Sequence, residues 1–152
     1  MELQEDVVIP LPVDIVFKAL NDPDILQKSI PGCEELIKHS DTQMEATVVV
    51  KFGPVKASFQ SDVTLDPTDG PSRFNLHGKG DAGIAGFANG RADVTLSEQD
   101  GGTLLSYVVT IDVTGKLAQV GGRLMEGTTK RLAKKFFANF EQALASGDAP
   151  QV

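Results

Sequence analysis

The sequence predicts an α+β domain in which a curved antiparallel sheet of about seven strands wraps around one long C-terminal helix, with two short helices after the first strand. Three observations lead there. Between residues 35 and 113, segments of apolar and polar alternation succeed one another with turn residues between them. The separators are short, which implies an antiparallel meander. Over residues 117–146 the period changes: Leu117, Val120, Leu124, Thr128, Leu132, Phe136, Phe140 and Leu144 recur at steps of three and four, one stripe sustained for about seven turns.

Residues 2–9 read as the first strand, which Pro10 and Pro12 end. A short helix is expected over 13–20, with Ile15, Val16, Ala19 and Leu20 on its apolar side. Asn21-Asp22-Pro23 breaks it and caps a second short helix through Lys28, and Ile30-Pro31-Gly32-Cys33 is a turn. Strands are expected at 35–38, 43–52, 55–65, 72–78, 86–96 and 103–113. Residues 1–147 form one domain, and 148–152 are expected to fray.

A domain of 152 residues buries about 68–70% of the surface its unfolded chain exposes, so a real core is available. Composition is that of a soluble globular protein, with 41% apolar and 23% charged residues. No apolar run approaches the roughly 18–20 residues that span a bilayer. The acidic opening Met1-Glu2-Leu3-Gln4-Glu5-Asp6 is unlike a signal peptide, and the single Cys33 can form no internal disulfide; a cytoplasmic location is expected. The net charge of −7 argues against general nucleic-acid binding. Five of the 14 basic residues nevertheless fall between Arg123 and Lys135, and Lys130, Arg131, Lys134 and Lys135 share one helical face opposite the apolar stripe. That face is either the solvated side of the helix or a contact for an anionic membrane or an acidic partner.

Parity sorts the strand residues into two faces. One carries Met44, Ala46, Val48, Val50, Ala57, Phe59, Phe74, Leu76, Ala88, Gly90, Ala92, Tyr107 and Val109; the other carries Glu45, Lys51, Lys56, Asp62, Arg73, His77, Arg91, Asp93 and Asp112. The apolar face holds many small residues, and so does the start of the expected helix, with Gly115, Ala118, Gly121, Gly122 and Gly127. Small residues facing each other across a layer spacing of about 10 Å leave volume unfilled, a hollow suited to an apolar ligand. The competing arrangement is a helix drawn onto the sheet by its glycines with no void. Phe136, Phe137 and Phe140 are expected to close the far end.

Gly78-Lys79-Gly80-Asp81-Ala82-Gly83 matches the dinucleotide pattern G-x-G-x-x-G, but residues 84–90 after it are glycine-broken and strand-like rather than helical, so a flexible hairpin at the cavity mouth is expected. His39 and His77 lie in different segments and form no metal-ligand cluster, and no cofactor is expected. Of groups able to do acid-base work, the inward face offers Tyr107 and Ser61, with Glu5 as an addition from the first strand; a bulge that reversed parity would add Arg91, Asp93 or Asp112. Binding without catalysis is the expectation, and no catalytic residue is assigned.

The element order resembles the helix-grip fold of the START-like, or polyketide cyclase and lipid-transport (SRPBCC), superfamily. Asn21-Asp22-Pro23, Ile30-Pro31-Gly32-Cys33, Gly53-Pro54-Val55-Lys56-Ala57-Ser58-Phe59, the glycine-rich stretch 78–90 and Gly115-Lys116-Leu117-Ala118-Gln119-Val120-Gly121 are similar to the signature of the carbon monoxide dehydrogenase G-subunit family, and Lys134-Lys135-Phe136-Phe137 fits its terminal helix. The resemblance implies a non-enzymatic accessory protein. Members of that family are encoded with molybdenum-containing carbon monoxide dehydrogenases and related hydroxylases, and are thought to help recruit the enzyme to the membrane. The implied partners are such a hydroxylase, a lipid- or quinone-like molecule, and the inner face of the cell membrane as a peripheral contact. The expected ligand-binding residues are Val48, Val50, Phe59, Phe74, Leu76, Ala92, Tyr107, Val109, Leu117, Val120, Leu124, Met125, Thr128 and Leu132. Many members carry an extension that reaches the membrane; here the sequence stops at Val152 after a polar tail, so contact is expected from the helix or the loops around the mouth, or through the partner enzyme alone. A cyclase- or hydratase-type enzyme of the same superfamily is the second reading, and an acid-base pair lining the cavity would favour it.

Overall fold

The computed structural model describes residues 1–67 and 69–145, so the expected frayed tail lies outside the described residues. Its order is β1 (Glu2–Ile9), α1 (Val13–Leu20), α2 (Pro23–Ser29), β2 (Cys33–Lys38), β3 (Gln43–Phe52), β4 (Val55–Asp66), β5 (Arg73–Asp81), β6 (Phe87–Gln99), β7 (Gly102–Val113) and α3 (Gly122–Ala143), with 3-10 helices at Gly83–Ala85 and Gly115–Val120. The strands form one antiparallel sheet in the order β1-β7-β6-β5-β4-β3-β2. Six strands in chain order make the meander, and β1 closes it beside β7.

The cap expected between α1 and α2 is present. Pro23 opens α2, and the Asp22 carboxylate accepts from the amides of Asp24 at 2.9 Å and Ile25 at 3.3 Å. These amides have no partner inside the helix. Asp22→Ala therefore should lower unfolding free energy by about 1 kcal/mol in urea titrations. From α2, the buried Ser29 offers its carbonyl to Asn139 Nδ2 at 3.1 Å, tying the short helices to α3.

Parity predicts the sheet's faces correctly: Met44, Ala57, Phe59, Phe74 and Tyr107 are buried, while Lys51, Lys56, Arg73, His77 and Arg91 are exposed. The glycine-rich stretch differs from expectation. Gly78 and Gly80 belong to β5, paired with Val63 and Ser61 on one side and Gly90 and Ala88 on the other, so the ladder continues to Asp81 before turning. Glycine is accommodated there because a Cβ on Gly80 would lie 2.9 Å from the Phe59 ring.

The C-terminal helix is also shorter than expected. Gly121, at φ 91°, separates the 3-10 helix Gly115–Val120 from α3, so Leu117 and Val120 do not continue the stripe of α3. The break rotates the small residues away from the sheet: nothing lies within 4 Å of a Cβ built on Gly121, Gly122 or Gly127, and Ala118 is exposed. Small-on-small facing across the layers is therefore not what opens the interior. α3 packs on α2, β1 and β3, so the curved sheet grips it from both sides and leaves a hollow over its middle strands.

Two apolar clusters flank that hollow. One gathers Ile9, Val16, Ile25, Phe74, Leu105 and Phe140 around α1, α2 and the end of α3. The other gathers Phe52, Ala57, Phe59, Ala85, Leu117 and Met125 under the start of α3.

Candidate functional site

The hollow has two lobes. The first, of about 280 Å³, lies between the sheet and the second half of α3, walled by Leu20, Leu26 and Ile30 from the α1–α2 corner, Leu36 and Met44 from the outer strands, and Ala133, Phe136 and Phe137 from α3. The second, of about 390 Å³, lies under the first half of α3, among Val48, Phe52, Phe59, Ala88, Ile111, Met125 and Leu132. Val63, Leu76, Ala92 and Val109 line both, so a strip of four aliphatic side chains on adjacent central strands forms a common floor. Each lobe approaches the size of a small-molecule site.

The aromatic end closes as expected. Phe136 stacks on Phe140 with centroids 5.9 Å apart, meets Phe137 edge-on at 5.0 Å, and Phe137 stacks on Tyr107 at 5.7 Å. Tyr107 is the ionisable residue of the first lobe, and its hydroxyl donates to Glu5 Oε2 at 2.9 Å across the register pair of β1 and β7. Burial pushes the phenol well above its ordinary range, and the bond to the Glu5 carboxylate and its negative charge push the same way. Tyr107 thus stays neutral and its proton is committed to Glu5. The ionisable residues bordering the second lobe are Lys79 and Arg91, both exposed, and Arg91 pairs with Asp93 at 3.2 Å. Neither lobe is lined by a carboxylate or an imidazole among the described residues.

Other candidate chemistry lies elsewhere. His39 sits 3.4 Å from Glu45 on the exposed face, and His77 is exposed. No group of three metal-ligating side chains occurs among the described residues. Cys33, the first residue of β2 rather than part of the turn, points its thiol at the Glu35 carbonyl at 3.4 Å, and burial raises its pKa, which favours the unreactive thiol.

Of the residues expected to bind ligand, Phe74, Leu76, Ala92, Tyr107 and Val109 line the first lobe; Val48, Phe59, Met125 and Leu132, again with Leu76, Ala92 and Val109, line the second. Val50 and Leu117 are buried in the cluster beneath the second lobe without lining it. Val120, Leu124 and Thr128 instead border a separate groove with Arg123, Gly127 and Arg131; Val120 precedes the break at Gly121, and within α3 the hollow is lined by Met125, Thr129, Leu132 and Phe136, which leaves Leu124 and Thr128 one position off that stripe. Leu20, Leu26 and Ile30 reach the first lobe but carry no signal of it in the sequence beyond their apolar character. Lys130, Arg131, Lys134 and Lys135 are all exposed, and Lys130 pairs with Glu126 at 3.1 Å.

Thr128 is fully buried, and among the described residues its hydroxyl has no partner, whereas neighbouring Thr129 donates to the Met125 carbonyl at 2.8 Å. Valine has the same shape without the unpaired group. Thr128→Val should therefore raise unfolding free energy by about 1 kcal/mol, read from a urea midpoint shift at constant slope.

Residues 6–145 match the model of the family described as CoxG, the G subunit of carbon monoxide dehydrogenase. Among solved structures, a conserved protein from Geobacillus kaustophilus is similar, with a TM-score of 0.88 and 26% identity over 96% of each chain. Ara h 8.0201 superposes with a TM-score of 0.69 and 17% identity, over 96% of this chain and 98% of that one. The di-domain ARO/CYC BexL from the BE-7585A biosynthetic pathway gives 0.61 and 13% identity, over 93% of this chain and 49% of that one. The last two likenesses concern the fold alone, which is the helix-grip arrangement. No curated protein matches the sequence. No helix among the described residues is long and apolar enough to cross a membrane.

Proposed function

The chain belongs to the carbon monoxide dehydrogenase G-subunit (CoxG) family, and from that premise we propose that it is a non-enzymatic carrier serving a molybdenum-containing hydroxylase of the carbon monoxide dehydrogenase type. Its cargo is an apolar molecule, lipid- or quinone-like, held under α3, and the carrier helps bring its enzyme to the membrane. The observation that carries this reading is the two-lobed interior over one aliphatic floor, whose first lobe holds a single ionisable group already bonded to Glu5. Such a wall offers an elongated hydrocarbon contact along its length. It offers a reacting substrate no acid-base pair, which is what a cyclase- or hydratase-type enzyme would need.

Native mass spectrometry of protein purified without detergent tests the proposal. A bound apolar species, displaced by organic extraction and restored by added lipid or quinone, is the expected result. Protein that is empty and ignores both additives would sink it.

A further inference from the structure

Among the large apolar side chains the described residues expose, Ile84 is 89% and Phe87 54% accessible, and the two stand three residues apart at the tip of the β5–β6 hairpin. The other two exposed ones, Val8 and Ile37, lie on the two edge strands of the sheet, β1 and β2. Scattered single exposures need no explanation, but this pair is held outward by a fixed turn. Ala85, between them, is buried. The Phe87 amide donates to Thr114 Oγ1 at 3.1 Å, the Thr114 amide donates to the Phe87 carbonyl at 2.9 Å, and the Gly83 amide donates to Asp81 Oδ1 at 2.8 Å. These bonds fix the backbone of the tip.

The hairpin is also a wall of the second lobe, through Gly78, Gly80, Ala88 and Gly90. Beside it lie the 3-10 helix Gly115–Val120 and the β3–β4 hairpin, whose Gly53 sits against Leu124. These elements, with the first turn of α3, expose Lys51, Lys56, Lys79, Lys116 and Arg123 in a chain whose net charge is −7. Of the acids at the same end, Asp81 accepts the Gly83 amide, Glu126 pairs with Lys130 and Asp62 stands opposite Lys79 in the β4–β5 register, leaving Asp112.

We propose that this end of the molecule docks on an anionic lipid bilayer, with Ile84 and Phe87 entering the headgroup region and the surrounding cations meeting lipid phosphates. Two apolar side chains on a convex tip ringed by cations suit a bilayer interface; a stable protein interface needs a broad complementary patch. The docking rests on the carrier reading only in its purpose, since it sets the second lobe against the lipid from which an apolar cargo would come.

The test is flotation of the full chain with phosphatidylcholine vesicles containing or lacking phosphatidylglycerol. Wild type should bind only the anionic vesicles, and more weakly as salt rises. Ile84→Ser with Phe87→Ser should reduce binding at least tenfold with an unchanged circular dichroism melt, since both side chains face water. Replacing Lys130, Lys134 and Lys135 by glutamine should leave most of it. Ile84→Trp should shift its emission to the blue on anionic vesicles. Unmoved emission, or a double-serine variant that floats like wild type, overturns the proposal. So does a wild type that ignores vesicles while its binding to the purified hydroxylase needs Ile84 and Phe87, an outcome that assigns the tip to a protein partner. Loading the double variant with a soluble short-chain quinone, read by native mass spectrometry, keeps the two readings apart: uptake without flotation fails the docking alone.

Discussion

Ala92→Phe is expected to yield a folded protein that carries no cargo. Ala92 sits on the common floor, paired with Leu76 on one side and Val109 on the other, and it is the smallest side chain lining both lobes from that strip. A phenyl ring there projects into the hollow between sheet and α3, where it divides the space an elongated ligand would need. Burying the ring contributes about 2 kcal/mol, and the adjustments of neighbouring side chains cost about 1–3 kcal/mol, so net stability should move by about 1 kcal/mol either way. Ligand occupancy should fall at least tenfold. The paired measurement is native mass spectrometry for occupancy and thermal unfolding for stability; full occupancy in a stable variant would place the ligand outside these lobes.

Gly86→Ala, one added methyl in the turn between β5 and β6, should cost about 3–4 kcal/mol. Gly86 lies at φ 117°, where an L side chain is strained by about 1–3 kcal/mol, and its Cβ would sit against the Thr114 carbonyl oxygen. The neighbour cannot yield cheaply because it is backbone, held by the Thr114 to Phe87 bond at 2.9 Å. Gly83→Ala is the internal control. It has φ 60° but nothing within 4 Å, so strain alone should cost about 1 kcal/mol. Urea unfolding of the two variants separates crowding from conformation, and equal losses would refute the close approach between the 83–86 turn and residue 114.

How far the amino acids alone lead can be seen element by element. β3 is predicted over its observed bounds because its alternation, from Met44 to Phe52, is set by neighbours two residues away. Asp22 before Pro23 predicts the start of α2 for a similar reason: the capping bond spans two or three residues. Where a stretch lacks side chains the signal fades, so Gly78 to Asp81, read as loose, proves to be ladder held by both neighbouring strands. The break at Gly121 is likewise hidden under a three-and-four spacing that runs through it unbroken.

The candidate site divides along the same line. Tyr107, Phe74, Val48 and Phe59 are recognisable as inward by parity, and Phe136 and Phe137 by their place on the helix. Leu20, Leu26 and Ile30 reach the same hollow through contacts distant in the chain, the packing of Val16 and Ile25 in one cluster with Phe140 and the bond from Asn139 to the Ser29 carbonyl. Short-range rules thus account for the strand order, the two faces of the sheet and the capped helix, each a consequence of residues within a turn or a hairpin of one another. The position and volume of the hollow arise instead from how strongly seven strands curve around α3, a sum of long-range packing terms that no local pattern encodes.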